Sequence, residues 1–384
     1  MTAMIRSEVS VNESVLFVAF ELGKQTWKLA MTTGLAVTPW VQTVAGGDFA
    51  AVDGVLQRAR ARFGLAATVR LISCYEAGRD GFWIHRALVT RGVENRVVDS
   101  SSIEVNRRQR RAKSDRLDAV KLVRLLARVC AGDRGAWSEV RVPSAAEEAA
   151  RQRSRERTAL TEEQTRLTNQ IGSWLATAGA RVSGRVRQQV GWWTAARDWA
   201  GAPLPATLQA RIARATARLT VVAEQIATIE TEQAEGLRTA APDSAAARLR
   251  QVKGLGVTSV SVLLDEGLVW RDFKNRRQLG GLLGFAPVQY ESGEASHDQG
   301  ISRAGNDRLQ STMVQLAWGW VQWQPQSALT QWYLARFGIG KRTRKVGIVA
   351  LARKLFIALW RYATAGVVPT GAILRPVSAA AAVA

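Results

Sequence analysis

VLFVAFELGKQTWKLAMTTGLAVTPWVQTV, residues 15–44, decides the fold of the first third of the chain. The run from Val15 is a short apolar strand ending at Glu21, and Trp27–Met31 and Val37–Val44 are two further strand candidates separated by Gly34. Together they predict a meander of three antiparallel strands. Downstream, Phe49, Val52, Val55 and Leu56 fall at helical spacing within Asp48–Phe63, and TVRLISCY, Thr68–Tyr75, is a strand ending at Glu76. Arg79–Arg91 reads as a helix, Glu94–Val98 as a strand, and KSDRLDAVKLVRLLARV, residues 113–129, as a basic helix.

The order β-β-β-α-β-α-β followed by a helix fits a mixed α/β sheet of the ribonuclease H, or RuvC-like, type over residues 1–140. The rest reads as α. Across 141–245, Leu160, Leu167, Ile171, Trp174 and Leu175 mark one helical stripe, and Leu208, Ile212, Leu219, Val222 and Ile226 a second. Two long antiparallel helices joined by Gly191–Pro205 would bury both stripes as a coiled-coil or dimerisation region. Residues 246–369 read as a mostly helical third domain. It opens on a turn, VKGLG (Val252–Gly256), that resembles a helix-hairpin-helix unit, and an ordinary packing turn has the same signature. Asn306–Gln322 and Val346–Ala363 are helices, and 370–384 a disordered tail.

The 384 residues carry a formal charge of +21, with 47% hydrophobic residues, which excludes a disordered chain. The excess sits at the two ends, +8 over residues 1–145 and +11 over 246–384. A polyanionic partner explains that distribution, because cations that neutralise phosphates release condensed counterions. Two separated cysteines, Cys74 and Cys130, and two histidines, His85 and His297, exclude a thiolate or imidazole metal site, so any metal must be held mainly by carboxylates. The uncharged stretch between Arg308 and Arg336 contains six glutamines and Pro325, so it reads as a buried or interfacial helix and not a membrane span. With charges interrupting the first 20 residues, a cytoplasmic protein with no membrane partner is expected. Four of the 14 tryptophans, Trp318, Trp320, Trp323 and Trp332, fall in one predicted helical segment, where core or protomer interface is favoured over base stacking.

Asp115 and Asp118 are three residues apart and share a helix face. Glu21 and Glu76 end two strands and can project toward that helix. Four carboxylates at one locus describe an oxygen-ligand site for one or two Mg²⁺ ions, with Mn²⁺ as an alternative, of the kind that stabilises attacking and leaving oxygens in phosphodiester chemistry. The plain alternative is pairing of each acid with a nearby arginine. Basic clusters flank this chemistry: Arg107, Arg108, Arg110, Arg111 and Lys113 precede Asp115, and Lys341, Arg342, Arg344 and Lys345 lie near the far end. Lys253 and Arg303 add to the candidate nucleic-acid contacts.

In order, Glu76, K-S-D-R-L-D-A (113–119), a long helical insertion, V-K-G-L-G (252–256), L-G-G-L-L-G-F-A-P (279–287) and Y-E-S-G…G-I-S-R-A-G-N (290–306) resemble the DEDD-type insertion-sequence transposases, which are similar to pilin-type DNA invertases. The resemblance spans nearly the whole chain. It implies a metal tetrad of Glu21, Glu76, Asp115 and Asp118, with Ser292 attacking DNA to form a covalent phosphoserine link. It further implies donor and target DNA as substrates, a noncoding bridge RNA that selects them by base pairing, and a homodimer that assembles to a homotetramer. Glu21 departs from the family's usual Asp, which moves that carboxylate by one C–C bond length. Two competing readings remain at this stage. One is a metal-dependent nuclease like the Holliday-junction resolvases, in which Ser292 is dispensable; the other is a nucleic-acid-binding relative that no longer cuts.

Overall fold

The computed structural model describes residues 14–103, 115–133, 135–268, 273–292, 295–302, 305–338 and 340–375. The basic cluster Arg107–Lys113 and Arg303 therefore lie outside the described residues. The chain divides into two compact units, Met1–Pro143 and Ser144–Ala384.

The first unit is a five-stranded sheet in the order β3-β2-β1-β4-β5. β1 (Val15–Leu22), β2 (Thr26–Thr32) and β3 (Trp40–Ala45) form the antiparallel meander, and β4 (Arg70–Glu76) and β5 (Glu94–Val98) run parallel to β1. The third strand starts three residues later than expected, because Leu35 and Val37 are exposed in the turn after Thr32, whose hydroxyl bonds Gly34 O and Val37 O. Period-two alternation sorts the two faces. Leu16, Val18, Phe20, Trp27, Leu29 and Met31 are buried on one side, the side of α1 (Phe49–Arg62) and α2 (Trp83–Thr90), where Trp27 meets Phe49 and Trp83 edge-on or tilted. Phe17, Ala19, Ala30, Ile72, Cys74 and Val98 are buried on the other, against Ala119, Leu122, Val123 and Leu126 of α3 (Asp115–Cys130). Asp48 caps α1 through Ala51 N at 2.9 Å. The result is a mixed α/β layer structure, with its strand order seen and its apolar faces both covered.

The second unit joins what the sequence divided. α4 (Ala145–Thr177) opens on a capping box between Ser144 and Glu147, and α6 (Ala206–Arg238) returns beside it after the single turn α5 (Trp192–Ala195). Arg153–Glu232 and Arg157–Glu230 pairs run in opposite senses along the two helices, which makes them antiparallel. Leu167, Ile171, Leu175, Ile212 and Val222 are buried between or beneath them, as the two stripes require. Beyond α6, a core built on Leu249, Leu263, Leu279, Leu309, Met313, Leu355 and Phe356 also takes in Leu237 of α6, so the helical pair and the C-terminal region share one hydrophobic centre.

That core gathers α7 (Ala245–Gln251), α8 (Val257–Val262), a π-helical segment (Leu263–Leu268), α9 (Arg276–Leu282), the hairpin β6 (Pro287–Ser292) and β7 (Ala295–Ile301), and α10 (Asp307–Trp323), α11 (Ala328–Phe337) and α12 (Lys341–Ala365). Two expectations are corrected here. The uncharged stretch is not one helix: Gln324 and Pro325 end α10, and the buried Ser327 starts α11 while accepting from Trp320 Nε1 at 2.8 Å. Residues 370–375 are not a disordered tail. Leu374 bridges Val252, Ile373 exchanges hydrogen bonds with Gln324 and accepts one from Lys253 N, and Arg375 N donates to Gln251 O at 2.6 Å. The small apolar residues of that strap are held by backbone groups left over at the end of α7, a pairing that no local pattern announces. Residues 376–384 lie outside the described residues.

Candidate functional site

The four predicted acids belong to one end of one sheet face. In β1, Phe17 and Ala19 face α3, so Glu21 follows on that face; in β4, Ile72 and Cys74 do so, and Glu76 follows. The two strands are parallel neighbours in which Phe20 pairs with Tyr75, so Glu21 and Glu76 stand side by side one step on. Lys28, opposite Glu21 on β2, places a cation on the same face.

Helix α3 brings the aspartates to that end. Cys74 Sγ lies 4.0 Å from Leu122 O, and Cys130, at the helix C-terminus, lies within the electrostatic reach of Arg70 and Glu94 at the opposite ends of β4 and β5. The helix therefore runs antiparallel to β4. Asp118, four residues before Leu122, is about 6 Å up the axis, and Glu76, two residues past Cys74, is about 6.6 Å along the strand. The two carboxylates thus arrive at one level, with Asp115 a turn beyond. Glu76 and Asp115 are exposed and Glu21 and Asp118 half-buried. Hard oxygen donors on adjacent strand ends and a helix start are the donor chemistry Mg²⁺ takes. In the arrangement seen, no three Asp, Glu, His or Cys side chains among the described residues stand close enough to share one ion.

Ser292 closes β6, in register with Ala295 of β7. The base of this hairpin is pinned from both sides: Ser302 N donates to Ala286 O at 3.0 Å and Asn306 N to Leu282 O at 2.8 Å. A side chain at Gly305 would strike Leu282 O and Gly284 N, so glycine is required for that close approach. Asn306 also caps α10 by accepting from Leu309 N at 3.0 Å. The hairpin was not anticipated, because Pro287–Ser292 and Ala295–Ile301 alternate weakly and are rich in polar residues.

The VKGLG turn connects α7 to α8, with Gly254 at φ +94° and Lys253 exposed. Its Lys253 N–H is taken by Ile373 O at 3.1 Å, and its Lys253 carbonyl by Gln324 Nε2 at 2.8 Å, so this face of the turn is held by protein. Lys341, Arg342, Arg344 and Lys345 form the first turn of α12, with Arg344 and Lys345 exposed. Of the grouped tryptophans, Trp320 is core, as expected, while Trp318 and Trp323 are exposed and Trp332 lies under the Lys354 ammonium at 4.6 Å.

A carboxylate absent from the sequence reading is the most enclosed among the described residues of the second unit. Glu266, on the π-helical segment, is 1% exposed and receives Arg155 Nε at 2.8 Å and Arg151 Nε and Asn306 Nδ2, each at 2.9 Å. Burial acts to raise its pKa, but the arginines and Asn306 outweigh it and hold the carboxyl below its ordinary range. Beside it, burial lifts the Asp265 carboxyl to about 7, with Arg153 opposing and the Glu266 charge adding to the rise. The available signal was two acids inside the apolar run SVSVLLDEGLVW, facing Arg151 and Arg155 at i, i+4 spacing on α4.

Acids gathered at one sheet end in a chain of charge +21 mark a protein that acts on nucleic acid. Comparison with known proteins narrows that class. The family described as Transposase IS116/IS110/IS902 matches residues 246–331, which include Glu266, Ser292 and Asn306. "Putative transposase y4rJ" of Sinorhizobium fredii (strain NBRC 101917 / NGR234) is 38% identical over 390 residues, covering 96% of each chain. "Putative transposase y4qE" of the same strain is 27% identical over 83% of this chain and 81% of its own. The "Transposase for insertion sequence element IS1328" of Yersinia enterocolitica is 29% identical over 56% of this chain and 62% of its own. The chain belongs to the IS116/IS110/IS902 family of transposases, enzymes that cut and rejoin DNA. No helix among its described residues is long and apolar enough to cross a membrane.

Proposed function

We propose that this transposase moves its insertion sequence through a covalent phosphoserine intermediate, with Ser292 as nucleophile and Glu21, Glu76, Asp115 and Asp118 as ligands for Mg²⁺ or Mn²⁺. The observation that carries the metal half is the side-by-side placement of Glu21 and Glu76 on the α3 face, level with the first turn of α3. Such a placement is what a RuvC-like, ribonuclease H-type nuclease centre needs. When bound, the ion would supply charge neutralisation at the scissile phosphate and favour a serine alkoxide. The carboxylates would hold it, and the exposure of Glu76 and Asp115 leaves the site open to a polymer substrate.

In the serine step the Ser292 Oγ–P bond forms as the bond from phosphorus to the leaving deoxyribose oxygen breaks, and the serine proton ends on that oxygen. The ester retains the energy of the broken linkage, so a second DNA hydroxyl can displace Ser292 without an external energy source. The pairing of Ser292 with Ala295 and a pinned hairpin base support this role, since a nucleophile must be presented on a rigid element. Guidance by a bridge RNA and assembly from dimer to tetramer complete the proposal, base pairing choosing donor and target while basic residues hold backbone.

The test is a denaturing gel with nicked donor and target DNA, Mg²⁺, and RNA transcribed from the element's flank. Wild type is expected to give a protease-sensitive protein–DNA adduct, Ser292→Ala none, and omission of the RNA none. Equal cutting by both proteins without an adduct would move the reading to a hydrolytic nuclease.

A further inference from the structure

Three arginines converge on Glu266, and one of them makes no hydrogen bond to it. Glu266 Oε2 accepts from Arg151, Arg155 and Asn306, and Oε1 from Arg155 Nε. A carboxylate offers about two acceptor sites on each oxygen, so Oε2 is fully used while Oε1 takes a single bond. Arg308 is the third cation at this carboxylate, its Nη1 3.7 Å from Oε1. That distance is beyond a hydrogen bond, and the Nη1 atom is buried with no hydrogen-bond partner among the described residues.

The local charge does not close either. Arg155 and Arg308 share the one ionised carboxylate of Glu266, and the neighbouring Asp265, lifted by burial to about 7, contributes only part of a charge at neutrality. Arg308 also sits in the first turn of α10, where the helix dipole disfavours a cation, with Asp307 as the acid of that turn. Such a site gains from an anion. Access exists, because the side chains of Arg308 and Arg155 are 37% and 45% exposed while the carboxylate they share is 1% exposed. Nη1 of Arg308 is itself buried, so the exposure of that side chain lies in its other atoms, which are the ones an anion can reach. A guanidinium edge matches two phosphate oxygens.

We propose that Arg308 and Arg155, oriented by Glu266, form a contact for a backbone phosphate of duplex DNA, at the start of the helix that follows the Ser292 hairpin. The inference rests on this chain binding DNA and is independent of the phosphoserine chemistry. Neither arginine is among the basic residues singled out from the sequence.

The experiment is equilibrium binding of a fluorescent duplex to the full chain without Mg²⁺, so that nothing is cut, from about 50 to 200 mM salt. Arg308→Gln is compared with wild type and with the charge-preserving Arg308→Lys, the thermal unfolding midpoint of each checking the fold. Each lost phosphate contact reduces the slope of log K against log salt by about 0.9. Arg308→Gln is expected to lose about that much slope and to bind several-fold more weakly at the upper salt, Arg308→Lys to keep the slope, and Arg155→Gln to fall in the same direction as Arg308→Gln. Parallel plots for wild type and a folded Arg308→Gln overturn the proposal. So does a slope change seen with an RNA duplex and not with DNA, which would assign the contact to RNA. Absence of salt-dependent binding by wild type would instead remove the DNA-binding premise.

Discussion

Two sets of acids in this molecule are built in opposite ways. At the sheet end of the first unit, Glu76 and Asp115 are exposed and Glu21 and Asp118 half-buried, held by the backbone of strand ends and a helix start. In the second unit Glu266 is enclosed by Arg151, Arg155 and Asn306 from two other helices. The first arrangement keeps its carboxylates at or near the solvent surface. The second is consumed by the fold. Acid content alone says nothing of role; what separates the two is enclosure, since Glu266 is 1% exposed while the sheet-end acids reach solvent.

The sharpest way to break this comparison is to exchange the consequences of removing each set. Glu76→Gln and Asp118→Asn are expected to lower DNA cutting at least about a hundredfold, while urea unfolding shifts by no more than about 0.5 kcal/mol. Glu266→Ala should do the reverse at the level of the fold. It strips the counter-charge from two partly buried arginines and costs about 3 kcal/mol in the same urea titration. Equal destabilisation by Glu76→Gln would mean that the sheet-end acids are as structural as Glu266.

Asp265 supplies a smaller effect with a definite sign. Its folded value near 7 lies above its ordinary value of 3.8, so between those pH values the folded protein binds a proton that the unfolded chain releases. The stability from this group is complete below about pH 4 and declines as pH rises toward 7, by at most about 1.4 kcal/mol per pH unit. The difference in unfolding free energy between wild type and Asp265→Asn, followed from pH 4 to about 8, should therefore grow in favour of the Asn variant. A pH-independent difference would contradict the burial of that carboxyl. Smaller again is Gly254→Ala. With φ +94° and Trp323 Cβ 3.1 Å from the added carbon, it should cost about 1 to 2 kcal/mol in thermal or urea unfolding.

The first unit was legible because its signals are local. Apolar runs at 15–20 and 70–75, alternation on both faces, and Asp48 ahead of a helical stripe each act within a few residues. The placement of Glu21 and Glu76 follows from that alternation and required only the parallel register of β1 and β4. The second unit resisted for the opposite reason. Glu266 finds Arg151 and Arg155 more than a hundred positions away, Ile373 pairs with Gln324 and Lys253, and the β6–β7 hairpin lacks an apolar stripe of its own. Pro325 was visible, but its consequence, two helices locked by the Trp320–Ser327 bond, depended on tertiary packing. Ser292 came to notice through resemblance to a family, since its polar surroundings carry no local mark of a nucleophile.

The most direct test of the central claim is to isolate the protein–DNA adduct from a reaction with donor DNA, Mg²⁺ and RNA, digest it with nuclease and protease, and map the nucleotide-bearing peptide by mass spectrometry. The account predicts a single phosphonucleotide ester on the peptide containing Ser292, lost in Ser292→Ala and in Asp118→Asn. Modification at any other residue, or free hydroxyl and phosphate ends with no modified peptide, would contradict it.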